Sequence, residues 1–281
     1  MKRRAFLCLM VLCSAGLGTA PLRLLAQGTD SQVRLSREQM DEFLRTARIV
    51  RTKGIPRGIT APQRATLTDG KLTHDAQIQS IDEYRSQFQS PQGTELNFKD
   101  TYKFNIAAYR LDKIMDLKMV PVSVERQVQG KTAAMTWWID DVLMDELERN
   151  KKKIAPPNLD QWNPQMYIVR VFDQLIFNTD RNLGNLVITK DWKIWMVDHT
   201  RAFRLLPTLR TPGDLVKCDR KVLEALRKLT QEALLKELQP YLTKPEVEAL
   251  LGRRNLIVQF FDKAIAEKGE QVVLYDYLSG T

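Results

Sequence analysis

The sequence predicts an α+β protein in two parts, a strand-rich first half and a mostly helical second half. Three observations predict it. β-Prone runs flank an Asp69-Gly70 turn, a strong short-range hairpin signal. From Trp162 onward, segment after segment carries apolar residues at helical spacing. Between these regimes a polar loop around Asp180 leads into a short hairpin and then Asp198. The 281 residues suffice for one large domain or two lobes, and 43% hydrophobic with 27% charged residues is ordinary globular material.

Residues 1–26 read as a signal peptide. Lys2, Arg3 and Arg4 precede an apolar stretch from Ala5 to about Ala20, the layout of a secretory signal, with Ala20 or Ala26 as the cleavage point. Left uncut, the same stretch is an N-terminal membrane anchor. Beyond it no apolar run reaches the roughly 20 residues of a bilayer span. The mature chain is therefore expected to be exported, periplasmic or extracellular. Cys8 and Cys13 fall in the signal, so only Cys218 remains and no internal disulfide is expected. Of the net charge of +9, Lys2, Arg3, Arg4 and Arg23 contribute four. The remaining modest excess suits a phosphate binder or a protein that meets acidic surfaces. A dense basic stripe interleaved with aromatics is missing, so no nucleic-acid partner is expected.

Residues 31–50 read as a helix, with Val33, Leu35, Met40, Phe43, Leu44, Ala47 and Val50 apolar and Ser36 with Gln39 as a start signal. Two glycines and two prolines make residues 53–62 a turn-rich break. A hairpin follows across residues 64–68 and 72–81. After a loop at residues 91–93, residues 100–117 form a helix that turns Phe104, Ala107, Ala108, Leu111, Ile114 and Met115 inward. Residues 120–126 and 132–139 are strands joined at Gln129-Gly130. Residues 140–153 are loosely helical, and Pro156-Pro157 ends them. Residues 162–177 form a helix, residues 186–189 and 193–197 a hairpin, and four amphipathic helices close the chain at residues 217–229, 231–238, 244–251 and 255–268.

Chemistry concentrates between Asp173 and Phe203. Asp180 and Asn185 lie five apart across a loop that contains Gly184, and Asp198 ends the next hairpin. Phosphoryl transfer needs a carboxylate to orient or deprotonate the attacking hydroxyl, and oxygen ligands to hold magnesium against a triphosphate. This loop offers Asp and Asn rather than clustered Cys or His, the hard donors magnesium prefers. His74 and His199, the only histidines, are too few for a zinc site and read as structural. Trp192 and Trp195 read as packing. Lys151-Lys152-Lys153 reads as a solvated helix end.

The pattern Asn178-x-Asp180-Arg181-x-x-x-Asn185, then Val197-Asp198-His199 and Ala202-Phe203, resembles the catalytic segment of phosphoinositide 3- and 4-kinases. Secretory-pathway kinases and HipA-type bacterial kinases share that atypical kinase fold and related motifs. The resemblance extends more faintly to Ala107-Ala108-Tyr109-x-Leu111-Asp112 and Val120-Pro121. It implies a two-lobed protein-kinase-like fold: a helix in residues 27–52, a small β-rich N-lobe in 53–140 and a mostly helical C-lobe in 141–281. It also implies ATP with Mg2+ or Mn2+ as cofactors, and a hydroxyl acceptor on a protein, lipid or small molecule. Carried over residue by residue, Asp180 is the catalytic-loop aspartate, Asn185 and Asp198 hold the metal, and Asp173 braces the loop. Gln79, Asn105, Trp138 and Arg181 fall to the nucleotide, Trp138 or Trp137 packing on its base from the hinge.

Two departures from that pattern stand out. Where such kinases place a phosphate-gripping Lys and its Glu partner, this chain has Gln79 (or Gln77) and Asn105. A neutral Gln–Asn pair is able to hydrogen-bond in place of an ion pair, but it brings no charge. Lys53, Arg57, Arg64 and Lys71 are the nearby cations, and Glu95 and Asp100 the nearby carboxylates. The glycine-rich loop is replaced by Gly54-Ile55-Pro56-Arg57-Gly58. Three functions therefore remain open: a kinase, a pseudokinase that binds nucleotide or scaffolds, and a nucleotide transferase on the same fold.

Overall fold

The computed structural model describes residues 35–55, 62–90 and 93–280, so the expected signal peptide and most of the Gly54–Gly58 stretch lie outside the described residues. The small lobe is a five-stranded antiparallel sheet in the order β1-β2-β3-β7-β6. Its strands are β1 (Arg48–Gly54), β2 (Gln63–Thr68), β3 (Thr73–Gln79), β6 (Ser123–Val128) and β7 (Lys131–Trp137). The Asp69-Gly70 turn joins β2 to β3 as expected: Asp69 Oδ1 accepts from the Lys71 and Leu72 N–H groups at 2.8 and 2.7 Å, and Gly70 takes φ +91°.

The leading helix is shorter than its sequence pattern suggests. α1 (Arg37–Thr46) starts at Ser36 in a capping box with Gln39, then stops, because Ala47 turns extended and Arg48 opens β1. Ile49, Val50 and Thr52 are β-branched, and pairing with β2 takes them out of helix. Residues 82–101, where a loop at residues 91–93 and the start of a helix at residue 100 were expected, form a long hairpin of β4 (Asp82–Ser90) and β5 (Gly93–Thr101), with Phe88 stacked on Phe98. This hairpin also takes Asp100 and Thr101 out of the helix predicted to start there.

α2 (Lys103–Met115) packs between this sheet and the large lobe, burying Phe104, Ile106, Ala107, Ala108, Leu111 and Met115. At its far end the buried Asp112 pairs with Arg37 at 2.6 Å and accepts from the Met119 and Val120 N–H groups, both at 2.8 Å. That ties α1, α2 and the approach to β6 together.

The lobes are joined by residues 138–141, between β7 and β8 (Val142–Asp145). His74 on β3 stacks on Trp137 with centroids 3.8 Å apart and meets Asp140 Oδ2 at 2.7 Å, so the linker is clamped to the sheet. Residues 140–153, expected to be helical, divide into β8 and α3 (Glu146–Lys151). β8 is drawn into a three-stranded sheet with β9 (Leu186–Thr189) and β10 (Ile194–Met196).

The large lobe is built on α4 (Leu159–Ile176), whose inner face buries Trp162, Ile168, Val169, Phe172, Leu175 and Ile176. β11 (Cys218–Asp219) pairs in parallel with β12 (Leu274–Tyr275) at the end of the chain. Between them run α5 (Arg220–Lys228), α6 (Gln231–Leu238), α7 (Lys244–Lys268) and the short α8 (Glu270–Val273). Two helices expected in residues 244–268 are one. Gly252 does not break α7; it lets Pro207 in, because a Cβ there would sit 2.7 Å from the Pro207 Cβ. Among the described residues no helix is long and apolar enough to cross a membrane.

Candidate nucleotide and metal site

The site begins where α4 ends. Phe177 takes a left-handed conformation at φ 49°, stopping the helix and turning the chain into the polar loop. Asn178 then makes an Asx turn, its Oδ1 accepting from the Asp180 N–H at 3.0 Å while its Nδ2 donates to Asp173 Oδ1 at 3.2 Å.

Arg181 organises the loop. Its Nε reaches Asp173 Oδ2 at 2.9 Å, and Nη1 donates to the Asn185 and Val197 carbonyls at 3.0 and 2.9 Å. Nη2 donates to Asp173 Oδ1 and His199 Nε2, both at 3.0 Å. All five guanidinium donors are thereby spent inside the protein. Arg181, expected at the nucleotide, sits as a brace, and Asp173 takes the bracing position expected of it. Because Arg181 can only donate, His199 Nε2 must accept. Burial, and then the Arg181 charge, push the His199 imidazole well below its usual range, so it is neutral. Both observations place His199 in a structural role.

Asn185 closes a 3-10 turn, where its carbonyl also accepts from the Val197 N–H at 3.0 Å and its side chain reaches back to the Asp180 carbonyl at 3.4 Å. The β9–β10 hairpin then delivers Asp198, itself left-handed at φ 55°, an uncommon conformation that concentrates at functional sites. Asp180, Asn185 and Asp198 are thus assembled on one short framework of backbone hydrogen bonds. The Asp180 carboxylate is half exposed. Among the described residues, the Asp198 carboxylate is bonded only by the Thr200 hydroxyl, at 3.2 Å. Burial first, then the charges of Asp100 and Asp180, push it above the usual carboxylate range.

On the small-lobe side, Gln79 and Asn105 meet as the sequence suggested. Asn105 Nδ2 donates to Gln79 Oε1 at 2.7 Å, both side chains being buried. Asn105 Oδ1 accepts from the His199 N–H at 2.7 Å. The neutral pair therefore links β3, through α2, to the residue that follows Asp198.

Glu95 and Asp100, considered above as stand-ins for the missing glutamate, hold arginines instead. Asp100, almost fully buried, accepts from Arg201 Nε at 2.7 Å; Glu95 pairs with Arg204. Of the four candidate cations, Arg64 is committed on the sheet: it pairs with Asp75 at 2.5 Å and lies over the Trp138 ring, 4.2 Å from its centroid. Trp138 is thus covered on one face by a guanidinium, whereas Trp137 points the other way, against His74 and Phe43. Sequence reasoning missed Arg201, Arg204 and Thr200. The available signal was their spacing after Asp198, since an arginine three residues on returns to the loop.

The donor set fits a magnesium or manganese ion held with phosphates. Asp100, Asp180 and Asp198 lie within electrostatic reach of Arg201, Arg181 also acts on Asp198, and Asp180 and Asp198 present hard oxygens. Among the described residues no three or more His, Cys, Asp or Glu side chains form a self-contained metal cluster. Magnesium sites completed by substrate phosphates need only one or two carboxylates. A separate concavity of about 480 Å³, between β5, the start of α2 and the α6–α7 turn, contains none of these residues.

A small antiparallel sheet joined by a linker to a helical lobe is the layout of the atypical protein-kinase-like fold. Solved structures share it. Hydra Fam20 with sugar superposes with a TM-score of 0.67 at 15% identity, over 85% of this chain and 92% of that one. The Golgi casein kinase with Mn/ADP bound gives 0.62 at 13%, over 86% and 80%. The Helicobacter pylori proinflammatory kinase CtkA gives 0.50 at 11%, over 80% and 98%. At such identities the likeness is one of fold. No protein-family model matches the sequence, and no curated protein matches it either.

Proposed function

We propose that the protein is an exported kinase-like phosphotransferase, moving a phosphoryl group from ATP to a hydroxyl on a protein, lipid or small molecule. One observation supports this reading above the others: Asp180, Asn185 and Asp198 are assembled around an Arg181 brace that has no donors left for a ligand. Asp180, half exposed, is free to orient the acceptor hydroxyl and take its proton. Asn185 and Asp198 would hold a divalent cation, which when bound neutralises phosphate charge. The Mn/ADP of the Golgi casein kinase makes manganese as reasonable a choice as magnesium.

The neutral Gln79–Asn105 pair favours a second reading, a pseudokinase that binds nucleotide or scaffolds without transfer. Calorimetric titration with ATP and each metal, beside Asp198→Asn, tests both readings. Asn is the right replacement, because Ala at φ 55° adds roughly 1 kcal/mol of backbone strain. Metal-dependent binding that vanishes in the variant supports a nucleotide site, and phosphate incorporation into casein, sugars or lipid vesicles then separates kinase from pseudokinase. A folded protein that binds neither metal–nucleotide pair refutes both.

A further inference from the structure

Four arginines reach the catalytic-loop segment, and their hydrogen bonds sort them; Arg210, exposed, is tied by Nη1 to the Asn178 carbonyl at 2.9 Å. Arg181 has spent every donor on Asp173, His199 and two carbonyls. Arg204 is held by Glu95, by the Lys99 carbonyl at 2.7 Å and by the Thr179 hydroxyl at 3.4 Å. Arg201 is different. Its Nε is fixed on the buried Asp100 at 2.7 Å and its plane rests over the Phe98 ring, 5.4 Å from the centroid. Its backbone carbonyl is fixed as well, accepting from the Thr179 N–H and hydroxyl at 3.2 and 2.8 Å.

The outer edge of Arg201 is not used in this way. Among the described residues, no hydrogen bond takes its Nη1 or Nη2 donors, and Nη1 stands 3.7 Å from Asp180 Oδ2, a loose ion pair. Its side chain is one-quarter exposed. A guanidinium with one edge locked and the other open is arranged for two-point recognition of phosphate oxygens. The position is equally telling. The group that takes the acceptor's proton must lie beside the phosphate being transferred, and Arg201 is the cation facing that group.

We propose that Arg201, from the large-lobe loop, grips the terminal phosphate of the nucleotide and supplies the positive charge that the Gln79–Asn105 pair lacks. This rests on the nucleotide reading above and adds which phosphate is held, and from which lobe. Burial opposes the Arg201 charge, but the hydrogen bond it donates to Asp100 and the charges of Asp100, Asp180 and Asp198 more than restore it, so the cation persists.

The test compares manganese-loaded ADP with a non-hydrolysable ATP analogue by calorimetry, in the wild type and in Arg201→Met. A charge-assisted contact to the last phosphate makes the variant lose about ten- to a hundredfold in affinity for the ATP analogue, with ADP affinity unchanged within about twofold. Arg201→Lys should fall between the two. If lone removal of Arg201 unfolds the chain by stranding Asp100, the double variant Asp100→Leu with Arg201→Met removes the buried pair together and carries the same expectation. Equal losses for both nucleotides, or no loss, overturn the assignment while leaving the nucleotide site standing. A wild type that binds neither nucleotide overturns the site and the assignment together.

Discussion

On the small-lobe side of the site, Gln79 and Asn105 meet through one neutral hydrogen bond of 2.7 Å. On the large-lobe side, Asp173 pairs with Arg181, Arg201 bridges Asp100 and Asp180, and Asp198 feels the charges of Asp100, Asp180 and Arg181. The two sides make contact through the Asn105–His199 hydrogen bond, so one geometry spans both. The difference shows that holding a helix against a sheet and delivering charge to a ligand are separable tasks. A buried amide pair does the first as well as an ion pair would, and avoids the desolvation of two charges. Under the proposed nucleotide reading, the second task falls to the other side.

Substitutions at each side test this contrast. The largest effect is expected at Asp198. Asp198→Asn should lower metal-dependent ATP affinity at least a hundredfold, yet raise the thermal midpoint of the metal-free protein by about 2–4 °C, since it relieves a carboxylate crowded by burial, Asp100 and Asp180. A lowered midpoint in differential scanning calorimetry would show that the crowding is not costly.

Next comes Arg181. Arg181→Met strands Asp173 and leaves the Asn185 and Val197 carbonyls without this donor, for a loss of about 3–5 kcal/mol in urea unfolding. A loss below about 1 kcal/mol would mean the loop holds itself. Smaller again is Asn105→Leu, which deprives the buried His199 N–H of its acceptor at about 1–3 kcal/mol. A double-mutant cycle with Gln79→Leu should show coupling between the two positions; strict additivity would deny that the pair acts as a unit.

The smallest effect is the most pointed one. Gln79→Lys with Asn105→Glu restores charge to the small lobe and should strengthen ATP binding by about five- to tenfold. No gain in calorimetry would mean that Arg201 already meets the need in full.

Much of the fold was legible in the sequence wherever a local rule governs. The Asp69-Gly70 turn, the Ser36/Gln39 cap and the inward face of α2 follow from turn chemistry, capping and helical spacing. The expected strand β7 and helix α4 appear with ends displaced by a few residues. What escaped is non-local. β1 and β8 look helical until partners pair with them, and the Asp82–Thr101 hairpin has polar faces with little alternation to announce it. Within the site, the Asp/Asn pattern and the Gln79–Asn105 contact were readable, because a known motif fixes their spacing. The bracing role of Arg181 and the open edge of Arg201 depend on which carbonyls and carboxylates converge in space, and spacing alone does not encode that.

The segment that follows Asp198 carries a consequence for control. Arg253 on α7, fully buried, donates to the carbonyls of Leu175, Arg204 and Leu206 at 2.7, 2.8 and 2.5 Å, while Pro207 fills the notch left by Gly252. Residues 204–207 are thereby riveted to the last long helix. Swinging them outward would strand a buried guanidinium, at about 3–5 kcal/mol, which holds the segment in place more than 99% of the time at 25 °C. Residues 204–207 are therefore no swinging safety catch. Under the kinase reading proposed above, control then falls to the supply of nucleotide, metal and acceptor.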